Sequence, residues 1–231
     1  MTKEHKLNEK KRELKRQQTV GEEIANSVSH GVMAIFGIVA MILMIIRTQT
    51  PWGVAGAIIF GLSIFLLYAM SCLYHSLAFT KAKGLFKRFD HIGIYLLIGG
   101  TFAPALLLLP TLRQNPFFGW DFIDRGLALF VIQWTLITLG VVLKSIWVYK
   151  FQFVHIAVFL LLGWSSLLFV IDLFNYSVPA FWLVLAGGIA YSLGVVFYAL
   201  SRKIKYFHFV WHLFVASGTI LQFIAIYAYI I

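Results

Sequence analysis

The chain has 231 residues, of which 61% are hydrophobic and 12% charged, with a formal net charge of +10. A soluble globular domain carries about 25% charged residues, so this composition excludes one and puts the chain in a bilayer. Charged residues collect at the N-terminus and in short breaks between apolar runs, so the basic excess reads as a membrane-topology signal with some attraction to anionic headgroups, and not as a nucleic-acid surface.

Seven apolar runs are each long enough to cross about 30 Å of hydrocarbon: 28–46, 52–73, 92–109, 126–143, 153–171, 178–200 and 207–231. They are continuous and do not alternate, and unpaired backbone groups are too costly in lipid. The runs are therefore helices and not barrel strands. The expected fold is an all-α, seven-transmembrane-helix bundle, multi-pass in the cell membrane, with a basic tail over residues 1–20 and one membrane domain over 21–231. With a cytoplasmic N-terminus, 16 of the 19 Lys and Arg residues fall inside, and only Arg47, Arg113 and Arg125 fall outside. This bias predicts an inside N-terminus and an outside C-terminus. The single cysteine, Cys72, excludes an intrachain disulfide. The first run is too long for the apolar core of a signal peptide and lacks a cleavage site, so it is expected to stay in the mature protein.

In chain order, the first 20 residues mix Lys, Arg and Glu without an apolar face and read as a solvated tail. Glu22, Asn26 and His30 then step by four, placing a carboxylate, an amide and an imidazole on one stripe of the helix entering span 1. Such a stripe does not face lipid. It is expected to clip span 1 to its neighbours by hydrogen bonds, with direct metal ligation as the other reading. Span 2 enters after the interfacial pair Pro51-Trp52 and ends on Ser71 and His75, which share a face. A basic loop from Lys81 to Arg88 follows. Span 3 opens on Phe89-Asp90-His91, a carboxylate where membrane helices rarely carry one. Gly99, Gly100 and Ala103 suit close helix packing, and Pro104 is expected to kink the outer third.

The longest outer connection, Pro110 to Arg125, carries Pro116, Gly119 and Trp120 and reads as a turn-rich interfacial loop. Gln133 is the main polar residue of span 4, while span 5 carries His155 near its inner end and Asp172 at its outer end. Gly187, Gly188, Ser192 and Gly194 of span 6 read as packing surface, because a glycine-rich phosphate loop needs a preceding strand. Span 7 holds only two ionisable side chains other than tyrosines, His208 and His212. A four-residue helical step sets their imidazoles about 40° apart and about 6 Å along the axis.

Alternating spans bring the end of span 2 and the starts of spans 3 and 7 to one membrane depth, so His75, Asp90, His208 and His212 are expected together. Three neutral imidazoles with one open position are the usual make-up of a catalytic zinc site. Asp90, held a water's width away, would orient the bound water and accept its proton, whose pKa a metal lowers to about 7. An alternative makes Asp90 a hydrogen-bond partner of a ligand histidine in a structural site. Ser71, one turn before His75, would donate to that water or to an oxyanion, or else serve as a packing hydroxyl. Cys72 is a possible further ligand, but three histidines already suffice.

With these motifs in view, the sequence resembles the bacterial haemolysin III family, the prokaryotic branch of the progestin and adipoQ receptor (PAQR) superfamily, in a wider group of membrane hydrolases that includes alkaline ceramidases. The resemblance rests on Glu22-x3-Asn26-x3-His30, Ser71-x3-His75, the segment from Asp90-x2-Gly93 to Pro104, and His208-x3-His212. It implies that His75, His208 and His212 are zinc ligands, that Asp90 is the carboxylate near the zinc water, and that Ser71 is the adjoining hydroxyl. His91 follows Asp90 where the receptors often carry an aromatic, which implies an altered polar surround. The expected function is zinc-dependent hydrolysis of a lipid amide or ester, with a membrane lipid as substrate or ligand. The alternatives are a noncatalytic lipid sensor with a structural zinc, and the cytolysis that the family name implies. No secretion signal or amphipathic inserting segment supports the last.

Overall fold

A computed structural model of the chain describes residues 17–147 and 150–231. The expected basic tail lies outside the described residues as far as residue 16. Among the described residues, seven helices are long and apolar enough to cross a membrane: span 1 (Val20–Arg47), span 2 (Pro51–Ser76), span 3 (Lys83–Leu108), span 4 (Arg125–Ile146), span 5 (Gln152–Tyr176), span 6 (Val178–Leu200) and span 7 (Phe207–Ile230). The protein is a seven-span all-α membrane protein.

Several spans run past their apolar cores because local chemistry extends them. Span 1 starts at Val20, eight residues before the apolar run, because Thr19 and Glu22 form a capping box. The Thr19 hydroxyl accepts from the Glu22 N–H, and the Glu22 carboxylate accepts from the Thr19 N–H at 2.9 Å. Span 3 starts at Lys83 and not at Phe89, so part of the expected basic loop is its first two turns. Lysine and arginine stems can cover apolar surface there while their charges reach water. Thr50, Asp124 and Ser177 cap spans 2, 4 and 6 through their side chains. Spans 3 and 7 have no side-chain cap of their own.

Spans 1, 2 and 3 interlock through small residues. A Cβ on Gly61 would strike Met41, one on Gly93 would lie 2.8 Å from the Leu67 Cα, and one on Gly100 would strike Ser63. In lipid the hydrophobic effect does not drive helices together, so this close backbone approach is what gives the contact its dispersion energy. Pro104 lies within the continuous span 3 helix, its Cα 3.0 Å from where a Gly56 Cβ would be. Gly187 and Gly194 face span 7 in the same way, against Gln222 and Trp211. A hydroxyl node adds polar glue, with Thr219 bonded to Tyr68 at 2.7 Å and to Tyr191 at 3.0 Å.

Span 5 is less regular than its uniform apolarity suggests. It is α-helical to Gly163, winds as a 3-10 helix over Trp164–Phe169, and resumes over Val170–Tyr176. Between spans 3 and 4, strands β1 (Pro116–Phe117) and β2 (Trp120–Asp124) form a hairpin across Phe118 and Gly119, both at positive φ. Successive positive φ values match the turn that joins two right-twisted strands.

Candidate metal centre

The histidine-bearing end of the bundle is built around the opening turns of span 1. The Glu22 carboxylate accepts from the Tyr206 backbone N–H at 2.7 Å and so holds the start of span 7, which lacks a cap of its own. The next residue, Glu23, turns to the other side. One of its oxygens lies 2.6 Å from His75 Nδ1 and the other accepts from Lys83 Nζ at 3.3 Å, joining span 1 to spans 2 and 3. Asn26 is buried, its amide nitrogen 2.7 Å from Gln18 Oε1 and 3.5 Å from His75 Nδ1.

These contacts leave a set of imidazole nitrogens facing one another. One ring nitrogen from each of His75, His208 and His212 lies within 4.8 Å of those of the other two. The three Nε2 atoms are buried without a hydrogen-bond partner among the described residues. A buried imidazole nitrogen is normally satisfied, so three together form an orphaned donor set. Glu23, by accepting the Nδ1 proton of His75, sets the tautomer that leaves a lone pair on Nε2. Nitrogens sharing one tetrahedral zinc stand about 3.3 Å apart, a separation inside the 4.8 Å that bounds this cluster. The residues present therefore fit a metal ion.

The other expected site residues take different places. His30 stacks flat on His212, with centroids 3.5 Å apart and planes 9° apart, and it stands outside the three-histidine cluster. Ser71 is fully buried and its hydroxyl has no partner among the described residues. Asp90 is buried on the wall of a cavity that His30, His91 and His208 also line. His91 Nδ1 donates to the Lys87 carbonyl at 2.8 Å and lies 3.6 Å from the Asp90 carboxylate. Cys72 Sγ lies 3.4 Å from the Ser27 hydroxyl, away from the cluster. Glu23 is the residue that the stripe of fours passes over. It shares the face of Asn26 and His30 at spacings of three and seven, a pattern equally readable from the sequence.

Beyond Asp90 the cavity extends over about 290 Å³ between spans 3, 5, 6 and 7, with Ile98, Phe102, Phe159, Phe181 and Val184 on its apolar walls. The match to the family described as Haemolysin-III related covers residues 18–223, which includes all of these features. The chain belongs to this family. Its relatives include Hemolysin-3 of Bacillus cereus, 39% identical over 93% of this chain and 94% of the relative. The Hemolysin-3 homolog of Bacillus subtilis is 36% identical over 91% of this chain and 95% of the relative. Human monocyte to macrophage differentiation factor is 26% identical over 92% of this chain and 86% of its own length. That relation to an animal protein fits membership of the PAQR superfamily.

Proposed function

We propose that this haemolysin III family member is a zinc-dependent membrane hydrolase that cleaves an amide or ester bond of a lipid, with its histidine-bearing end toward the cytoplasm. The observation that carries the reading is the orphaned trio of Nε2 atoms, whose His208 ring lines a largely apolar cavity inside the bundle. His75, His208 and His212 hold the ion, which when bound supplies Lewis acidity and lowers the pKa of a water at the site. The apolar walls take the acyl chain and keep bulk water from the scissile carbonyl. Asp90 accepts a proton from the water that attacks that carbonyl, then returns it to the departing amine or alkoxide. Ser71 donates to the oxyanion forming on the carbonyl oxygen, a contribution of about 2–4 kcal/mol for a well-aimed donor. Glu23 is a positioning residue, acting through His75.

The test is fatty-acid release by purified protein from ceramide-like and other acyl lipids, with zinc content measured alongside. The wild type is expected to release product, and Asp90→Ala to retain zinc with release abolished. Equal turnover by that variant would remove Asp90 from the mechanism.

A second reading, a noncatalytic lipid sensor with a structural zinc, draws on the same carboxylates. Glu22 and Glu23 tie span 1 to spans 2, 3 and 7, as a purely structural centre would require. Its signature is loss of thermal stability on chelation with no product from any lipid. The relatives' name raises cytolysis as a third role. Leakage from liposomes containing only the purified protein would separate it from the first two.

A further inference from the structure

Lys144 is the residue that neither the metal centre nor the helix packing uses. It counts with the basic loops in the sequence, yet it lies inside span 4 and is 1% exposed, among the largest fully buried side chains of the protein. It makes no hydrogen bond or ion pair among the described residues. It lines the cavity described above, at the same end of the bundle as Asp90, His91 and His155. His155 is already engaged, its Nδ1 2.7 Å from the Tyr95 hydroxyl, and His91 is held by the Lys87 carbonyl. Arg202, also on the cavity wall, donates to Gln152 Oε1 at 2.7 Å. Among the described residues Asp90 is the one carboxylate on that wall, and it forms no ion pair with Lys144.

An ammonium inside a membrane bundle without a counter-charge is costly, and intramembrane lysines mark ligand paths. What would offset that cost is an oxyanion entering the cavity. A ligand with an anionic head and a hydrocarbon chain matches both parts of the wall, with Lys144 at one end and the apolar side chains of spans 3, 5 and 6 beyond it.

We propose that Lys144 is an anion-binding subsite of this cavity, taking the phosphate or carboxylate head of a single-chain amphiphile whose chain lies between spans 3, 5 and 6. As a statement of substrate class this rests on the hydrolase reading; as a statement of binding it stands apart from turnover.

The test is quenching of tryptophan fluorescence by brominated-chain ligands of equal length, since Trp164 and Trp211 line the cavity. The full chain, in nanodiscs of neutral phosphatidylcholine, is titrated with a lysophosphatidate, a fatty acid and an uncharged monoacylglycerol. The anionic ligands are expected to bind about tenfold or more tighter than the neutral one, the scale of a charge-assisted contact in a dry site. Lys144→Met should bring the three within about twofold, and Lys144→Arg should keep the preference. The same series on His208→Ala protein removes the metal as a source of anion preference. A preference that survives there without product supports the subsite even if the hydrolase reading fails. Displacement of the anionic ligands by inorganic phosphate alone would assign the subsite to a free anion, and no displacement would assign it to a lipid head. Equal affinities in the wild type would overturn the proposal without any variant, as would an unchanged preference in Lys144→Met.

Discussion

Span 3 presses glycines against its neighbours at Gly93 and Gly100, while span 5 breaks its α-helix with a 3-10 segment at Trp164 and leans on span 6 through a side-chain bond from Trp164 to Ser192. Through its most apolar stretch span 3 is 67% buried within the protein, against 17% for span 5 and 11% for span 6. The interlocked half fixes His75 and Glu23, the carboxylate that holds it. The looser half leaves room for the cavity and a wall toward lipid. The three-histidine cluster sits on the seam, with His75 from the interlocked side and His208 and His212 from span 7, which packs on both span 1 and span 6. Rigidity is thus concentrated around the three histidines, and slack where the proposed amphiphile would enter.

The seam is broken most completely by His75→Ala, His208→Ala or His212→Ala. Each is expected to reduce bound zinc from about one equivalent to near none, read by elemental mass spectrometry. If all three variants kept full zinc, the centre would lie elsewhere. Glu23→Gln keeps the shape of the side chain but removes its charge from His75. Zinc affinity is expected to fall about 10–100-fold in a chelator competition, with stoichiometry intact at saturating zinc, and an unchanged affinity would reduce Glu23 to a helix clamp.

The contrast between the halves is sharpened by a glycine pair. Gly93→Val drives a side chain into the span 2 backbone and is expected to cost about 1–3 kcal/mol. Gly188→Ala places its Cβ 3.9 Å from Trp164, in ordinary contact, and should cost less than about 0.5 kcal/mol. Denaturant unfolding in micelles measures both, and equal losses would erase the distinction. Between these limits, Trp164→Phe removes the 3.1 Å bond to Ser192 and is expected to lower stability by about 1 kcal/mol.

Much of this was legible in the sequence, for identifiable reasons. Seven continuous apolar runs leave little freedom of fold, and a helix fixes the relation of His208 to His212 without any tertiary information. Alternation of spans then carries His75 to the same end. Less legible were features in which polarity is buried. The start of span 1 is diluted by Glu22, Glu23 and Asn26, so hydropathy places it at residue 28 when its helix starts at Val20. Glu23 is hidden because a step of four selects its neighbour Glu22, although the two carboxylates hold different partners. Lys144 reads as a loop charge because sequence position near a span end does not say which way a long side chain turns. The break in span 5 has no proline to announce it, and Gly163 alone is too common a residue in membrane helices to signal one.

The division of the three clustered histidines between the second and seventh spans has a consequence for biosynthesis. Ribosomes deliver His75 long before His208 and His212 exist, so a nascent or truncated chain has only one of the three imidazoles to offer. The centre can form only after the final helix has entered the bilayer and Tyr206 has met Glu22. An ion held there would therefore report that insertion is complete, and chains stalled before the last helix would neither sequester metal nor carry a half-built reactive site.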